Sequence, residues 1–151
     1  MRAVIQRTTE SAEVSVDDKI SGQIEKGLVI YLGIEAADTK EDIEWLARKI
    51  CNLRIFSDEE GKMNLSVGDI NGGLLIISQF TLFASTKKGN RPSYLRSAKP
   101  DYAVPMYEAF LKHLRQTYDL PVEAGIFGAD MQVRYTNDGP VTIIIDTKNK
   151  E

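Results

Sequence analysis

The chain has 151 residues, 19 of them basic and 22 acidic, and a net charge of −3. A hydrophobic share of 42% against 27% charged excludes a disordered or collagen-like chain. A single domain of this length buries about two-thirds of its surface, enough for a core without staples. The longest apolar run, residues 27–34, falls far short of the roughly 20 residues that cross a bilayer. Residues 1–7 hold no apolar signal core, and Cys51, the only cysteine, makes no intramolecular disulfide. A cytoplasmic protein, away from membranes, is the expectation.

The chain opens with strand-like alternation. Ala3, Ile5 and Arg7 take one phase and Val4 and Gln6 the other; Ala12, Val14 and Val16 then alternate with Glu13 and Ser15. Asp17-Asp18 turns the chain into residues 19–26, and residues 27–34 form a buried strand, which together predict a meander of about four strands. A helix follows. Asp38 is its predicted N-cap with Glu41 three residues on, and Ile43, Leu46, Ala47, Ile50 and Leu53 recur at helical spacing. Arg48 and Lys49 near its end suit the helix dipole, and Trp45 and Cys51 sit beside the apolar stripe, Cys51 as core packing. Residues 58–61 read as a turn, and Gly72-Gly73 precede a strong strand over residues 74–82.

Residues 84–98 then carry Gly89, Asn90 and Pro92 and read as a loop, long enough to point to function or mobility. Pro100 is placed as the first residue of a second helix that buries Ala103, Tyr107, Phe110, Leu111, Leu114 and Tyr118. Pro105 falls inside that pattern and is expected to kink the helix or delay its start. Two strands, residues 131–136 and 141–146, close the chain on either side of Asn137-Asp138-Gly139-Pro140. The expected fold is α/β: one mixed domain over residues 1–151, with N-terminal antiparallel strands. Further strands complete a layered or barrel-like sheet, and two main helices pack on it.

An acidic total argues against a nucleic-acid partner, but the charge is unevenly spread. Residues 70–100 contain no Asp or Glu, while Lys87, Lys88, Arg91, Arg96 and Lys99 give +5, leaving −8 on the remainder. Such a segment is either an electrostatic footprint for phosphate or a solvated basic loop. Familiar catalytic sets are missing. His113 is the sole histidine and lies within the second predicted helix, one Cys and one His make no zinc site, and neither G-x-x-x-x-G-K-[ST] nor G-x-G-x-x-G occurs. An enzyme built from these residues works with backbone groups, hydroxyls, amides or the substrate's own groups. Two segments stand out. Ser78-Gln79-Phe80-Thr81-Leu82 ends a buried strand with three polar side chains, and Gly139-Pro140-Val141-Thr142 stands at the mouth of a very apolar strand. From pattern alone, residues 137–140 are also consistent with a simple hairpin turn.

Together the two segments resemble the paired signature of the D-aminoacyl-tRNA deacylases. The resemblance runs through residues 1–7, Lys88-Gly89-Asn90-Arg91-Pro92-Ser93 and residues 125–131. Ser78 and Phe80 look like the D-specific branch rather than a sister family that edits mischarged L-alanine. The resemblance implies hydrolysis of the ester joining a D-amino acid, or glycine, to the terminal adenosine of tRNA, without cofactor or metal. It implies a homodimer in which Gly139 and Pro140, joined by a cis bond, turn their carbonyls into the partner's pocket. Carbonyl oxygens accept from the substrate ammonium and leave no room for the side chain of an L-residue. Ser78, Gln79, Phe80 and Thr81 line the other side as the catalytic segment. Backbone N–H groups near Gln79 and Phe80 would hold the oxyanion, and Thr81 is either a nucleophile or a positioning group beside a 2′-hydroxyl-assisted water. Met131 is a candidate pocket contact, a core methionine being the alternative. Lys87, Lys88, Arg91 and Arg96 then meet the tRNA acceptor end. Two other readings stay open: a non-catalytic RNA-binding module, weakened by having only Tyr94 and Phe83 as aromatics near the basic segment, and an RNA-independent D-peptide amidohydrolase.

Overall fold

Ten strands and two helices account for the regular structure of the computed structural model, which describes residues 1–151. Strands β1 (Arg2–Thr8), β4 (Gly27–Gly33), β7 (Gly73–Ser78), β8 (Val122–Ala124) and β10 (Thr142–Asp146) form a sheet in the order β10-β1-β4-β7-β8. β1 is antiparallel to both β10 and β4, whereas β4, β7 and β8 run parallel. Parallel neighbours require crossovers. α1 (Lys40–Asn52) and the short hairpin β5 (Phe56–Ser57)–β6 (Met63–Leu65) connect β4 to β7; α2 (Pro100–Thr117) connects β7 to β8. β2 (Ala12–Val16), β3 (Lys19–Ile24) and β9 (Gln132–Arg134) make a second sheet in the order β3-β2-β9.

The phases of β4 and β7 explain the layering. Leu28, Ile30, Leu32, Leu74 and Ile76 point to one face, where they join Ala3, Ile5 and the buried stripes of α1 and α2 in the larger core. Val29, Leu75 and Ile77 point to the other and pack with Ala12, Val14 and Ile24 of the second sheet. A strand covered on both faces reads as a continuous apolar run, which is what residues 27–34 and 74–77 show. The molecule is therefore a three-layer arrangement of helices, large sheet and small sheet. The expected meander is corrected by this: β1 pairs with β4 and β10 rather than with β2, because β2 and β3 are needed as the cover for the second face.

Several local expectations also shift. α1 is capped one residue later than predicted, by Thr39, whose N–H donates to the Asp42 carboxylate at 2.8 Å. Asp38 is instead fully buried and takes the Met1 ammonium, with Lys148 3.9 Å away. α2 starts at Pro100 without delay, and Pro105 lies on its exposed side, where water can serve the Asp101 carbonyl that lacks an N–H partner. The strand predicted over residues 74–82 ends at Ser78, and a 3-10 turn takes over at Phe80–Phe83. β9 and β10 do not pair with each other, so residues 137–140 are no hairpin turn but a crossing from the small sheet to the large one.

Candidate functional site

In a parallel sheet, ligand crevices form beyond the carboxyl ends of the strands, where successive connections part. A cleft of about 610 Å³ lies beyond the ends of β4 and β7. Leu32, Ile34 and Ile77 supply an apolar floor, Ser78, Gln79 and Phe80 one wall, and Ala129, Asp130 and Met131 another. Tyr94, Ser97 and Lys99 from the basic loop and Ala103 from α2 complete it.

The segment Ser78–Phe83 owes its shape to the end of the parallel ladder. Gln79 N–H donates to the Leu32 carbonyl at 2.8 Å, the last bond before the chain leaves β4. That bond removes Gln79 N–H from the oxyanion donors expected near Gln79 and Phe80. Phe80 and Thr81 open the 3-10 turn, so their N–H groups have no acceptor inside it. Phe83, 1% exposed, anchors the turn, with the guanidinium groups of Arg2 and Arg96 over its ring at 4.9 and 5.5 Å. Arg2 also donates to the Leu82 carbonyl at 2.8 Å. The Gln79 carboxamide donates to the Thr81 hydroxyl, which lies just outside the cleft lining. Phe80 stands over half exposed at the cleft wall, edge-on to Tyr94 with ring centres 5.0 Å apart.

The basic loop is an excursion closed by paired backbone bonds between Ser85 and Ser93, at 2.8 and 2.9 Å. Its tip carries Lys87, Lys88 and Arg91, all exposed and none in an ion pair. Arg96 at its base is tied to Glu35 at 3.8 Å, and Lys99 reaches the cleft itself. The tip residues do not line the cleft; they extend the positive charge away from it.

Gly139 and Pro140 lie elsewhere. They are exposed, joined by a cis bond, and not among the residues lining the cleft of their own chain. Gly139 adopts φ +111°, and a Cβ there would stand 2.9 Å from Val141 Cγ2 and 3.1 Å from Arg7 Nη2. Arg7 grips this turn. It binds Asp138 at 2.7 Å and the Ile55 carbonyl at 2.7 Å, while Asp138 N–H donates to its backbone carbonyl at 2.9 Å. The sequence carried a signal for this: Arg7 continues the inward phase of Ala3 and Ile5, and a buried guanidinium needs a carboxylate. Arg7, and Lys99 and Tyr94 as cleft residues, stand outside the site residues that the sequence motifs mark.

No activated nucleophile stands at the cleft. Cys51 is buried in the helix layer, where loss of water pushes its thiol up to about 12. His113 packs beside Tyr118 on α2 and does not line the cleft. No group of three or more His, Cys, Asp or Glu converges as metal ligands, and no helix is long and apolar enough to cross a membrane.

Comparisons with known proteins agree on one family. Residues 4–146 match the family model described as D-Tyr-tRNA(Tyr) deacylase. Proteins named D-aminoacyl-tRNA deacylase from Flavobacterium johnsoniae and Parabacteroides distasonis are 55% and 57% identical over 151 residues, the whole of each chain. Among solved structures, the c-Myc DNA Unwinding Element Binding Protein superposes with a TM-score of 0.90 at 42% identity, covering 97% of this chain and 98% of that one. A structure described as that of a probable eukaryotic D-amino acid tRNA deacylase, at 18% identity, shares the fold with a TM-score of 0.79 over 95% of this chain and 98% of its own. With the family model covering nearly the whole chain and full-length relatives above half identity, the protein belongs to the D-aminoacyl-tRNA deacylase family, hydrolases of the ester between an amino acid and tRNA.

Proposed function

We propose that this protein hydrolyses D-aminoacyl-tRNA, and glycyl-tRNA, while sparing L-aminoacyl-tRNA, and that it does so as a cytoplasmic homodimer. The observation that carries the reading is the cleft at the ends of β4 and β7, walled by Ser78, Gln79 and Phe80 and adjoining a loop of unpaired cations. The aminoacyl end enters the cleft and Lys87, Lys88 and Arg91 meet phosphates of the acceptor end. Met131, a cleft residue, packs against the amino-acid moiety.

The chemistry asks little of the protein. An aminoacyl ester is already activated, and what slows its hydrolysis is the negative charge that develops on the carbonyl oxygen as water adds. Phe80 N–H, at the start of the 3-10 turn, is the donor for that oxyanion; one such donor is worth about 10²–10³ in rate. Thr81 accepts from Gln79 and has no imidazole or carboxylate partner, so its hydroxyl orients the turn rather than attacking. The ribose 2′-hydroxyl assists the attacking water, and the 3′-oxygen leaves with a proton as free D-amino acid is released.

Rejection of L-substrates falls to Gly139 and Pro140. Their exposure on their own chain, away from their own cleft, is what a residue pair contributed to a partner's pocket requires. The face of β1 and β10 beside them is left uncovered by the small sheet, with Ile144 69% exposed, as a surface for that second copy. In the partner's pocket the two carbonyls accept from the substrate ammonium and crowd an L-side chain; glycine, without a Cβ, passes. The test is to incubate the protein with D-tyrosyl-tRNA and, separately, with a free D-peptide. Loss of the tRNA ester alone supports the deacylase. Tight RNA binding without turnover, or cleavage of the free peptide, replaces it by a binding module or an amidohydrolase.

A further inference from the structure

A chain of polar side chains that the catalytic reading does not use runs to the Gly139–Pro140 turn from the side opposite Arg7. Tyr31 of β4 and Tyr135, just beyond β9, meet with their hydroxyl oxygens 3.0 Å apart, both packed against the core between the two sheets. Tyr135 donates its proton to Gln6 Oε1, so Tyr31 is the donor between the two phenols. Burial, then the bond to Tyr135, holds the Tyr31 phenol well above the ordinary tyrosine range, so that proton stays in place. Gln6 lies on β1 directly opposite Thr142 of β10. With its oxygen occupied by Tyr135, the Gln6 amide nitrogen donates to the Thr142 hydroxyl at 3.2 Å and, with the Asn137 carboxamide assigned the orientation that satisfies its neighbours, to the Asn137 side-chain oxygen at 2.8 Å. Asn137 in turn donates to the carbonyls of Val141 and Arg7 at 3.0 and 3.3 Å. The Thr142 hydroxyl lies 3.0 Å from the Asn137 oxygen and 3.2 Å from the Pro140 carbonyl oxygen, and its one proton serves either.

A carboxamide has two orientations of nearly equal shape and opposite hydrogen-bonding sense. Reversed, Gln6 would turn its oxygen toward that of Asn137, and both residues that flank the Gly-Pro pair would lose their donor. The Tyr135 hydroxyl selects the orientation that holds them. We propose that Tyr135 is a positioning residue for chiral discrimination: by orienting the Gln6 amide it fixes Asn137 and Thr142 on either side of Gly139 and Pro140. This rests on the reading of that pair as the chiral wall. A wall carbonyl grips the substrate ammonium equally in the ground and transition states, so slackening it raises KM and leaves kcat in place. It also relaxes the exclusion of L-esters.

The experiment measures kcat and KM for D-tyrosyl-tRNA, and turnover of L-tyrosyl-tRNA, in Tyr135→Phe, Gln6→Glu, Tyr31→Phe and Gly139→Ala. Tyr135→Phe is expected to raise KM about fivefold, the factor one net hydrogen bond carries, with kcat within about twofold. It also raises L-turnover relative to D. Gln6→Glu keeps an acceptor for Tyr135 but presents no donor to Asn137 and Thr142, and it reproduces the effect even if the tyrosine variant folds poorly. Combining the two adds nothing further. Tyr31→Phe leaves the Tyr135–Gln6 bond intact and serves as the control for packing, with KM within about twofold. Unchanged KM and selectivity in both Tyr135→Phe and Gln6→Glu, with Gly139→Ala impaired, overturns this proposal alone. Unchanged selectivity in Gly139→Ala overturns the wall itself and this proposal with it.

Discussion

Reversing the charge of Lys87 and Lys88 together isolates the electrostatic part of substrate binding from the chemistry. Both side chains are exposed at the tip of the loop closed by Ser85 and Ser93, and neither has an ion-pair partner to lose. Surface changes of this kind cost a fold within about 0.5 kcal/mol, so the double variant Lys87→Glu/Lys88→Glu should remain folded. Each phosphate contact contributes about 0.7 to the logarithmic salt slope on single strands and about 0.9 on duplex. Losing two contacts therefore flattens the slope by about 1.4 to 1.8, and between about 50 and 200 mM salt the wild-type advantage shrinks by about 7- to 12-fold. The assay is steady-state deacylation of D-tyrosyl-tRNA over a salt series. KM at low salt is predicted to rise about tenfold or more, with kcat within about threefold because no cleft residue has changed. A double variant with the wild-type salt slope would refute the reasoning and return the loop to a solvated surface feature.

Three further predictions follow from the geometry. Thr81→Ala should keep hydrolysis within about tenfold of wild type, since the hydroxyl has no base beside it; complete loss of turnover with substrate binding intact, measured by filter retention, would make Thr81 the nucleophile. Gly139→Ala introduces a Cβ 2.9 Å from Val141 at φ +111°, and that backbone conflict should lower kcat/KM by about 10- to 100-fold; wild-type turnover would remove the turn from the site. At the other end of the molecule, burial alone would raise the Asp42 carboxyl, but hydrogen bonds from Lys148, Thr147 and Thr39 outweigh it and hold the group well below the ordinary carboxylate range. A depressed folded-state pKa contributes stability above the unfolded value of about 4 and loses it as pH falls further. Asp42→Asn should therefore cost about 1–2 kcal/mol in urea unfolding at neutral pH and show a smaller decline than wild type on acidification below about pH 4; parallel acid limbs would contradict it.

How far the sequence revealed the site depends on the range of the interactions involved. The doubly apolar strands at residues 27–34 and 74–77, the helix stripe of Ile43, Leu46 and Ile50, and the helix opened by Pro100 are local patterns, and the structure reproduces them. Pairing is not local. Nothing in residues 12–24 says that they cover the second face of β4 and β7 rather than continue the first sheet, so the meander expected from short connections failed. The end of β7 was misplaced because Phe80, Leu82 and Phe83 are as apolar as strand residues; only the loss of a ladder partner beyond Leu32 turns the chain there. At the site, the fold brings Ser78, Gln79, Phe80 and Met131 to one cleft, while Lys87, Lys88 and Arg91 stand out at the loop tip. Arg7 was visible as a charge in an inward phase, yet its partner Asp138 lies 131 positions away and only the fold pairs them. Tyr135 and Gln6 had no such signal, since each is ordinary in a strand and acquires meaning only through the other. The acidic total hid a basic segment, and the fold gives that segment a place at the cleft mouth, with Lys99 inside and the free cations beyond.

The most direct test of the account is the ratio of D- to L-tyrosyl-tRNA hydrolysis by the wild-type protein under identical conditions. The D-ester is expected to turn over and the L-ester to survive. Equal hydrolysis of the two would contradict it, because a cleft with oxyanion stabilisation and no chiral wall cannot tell them apart.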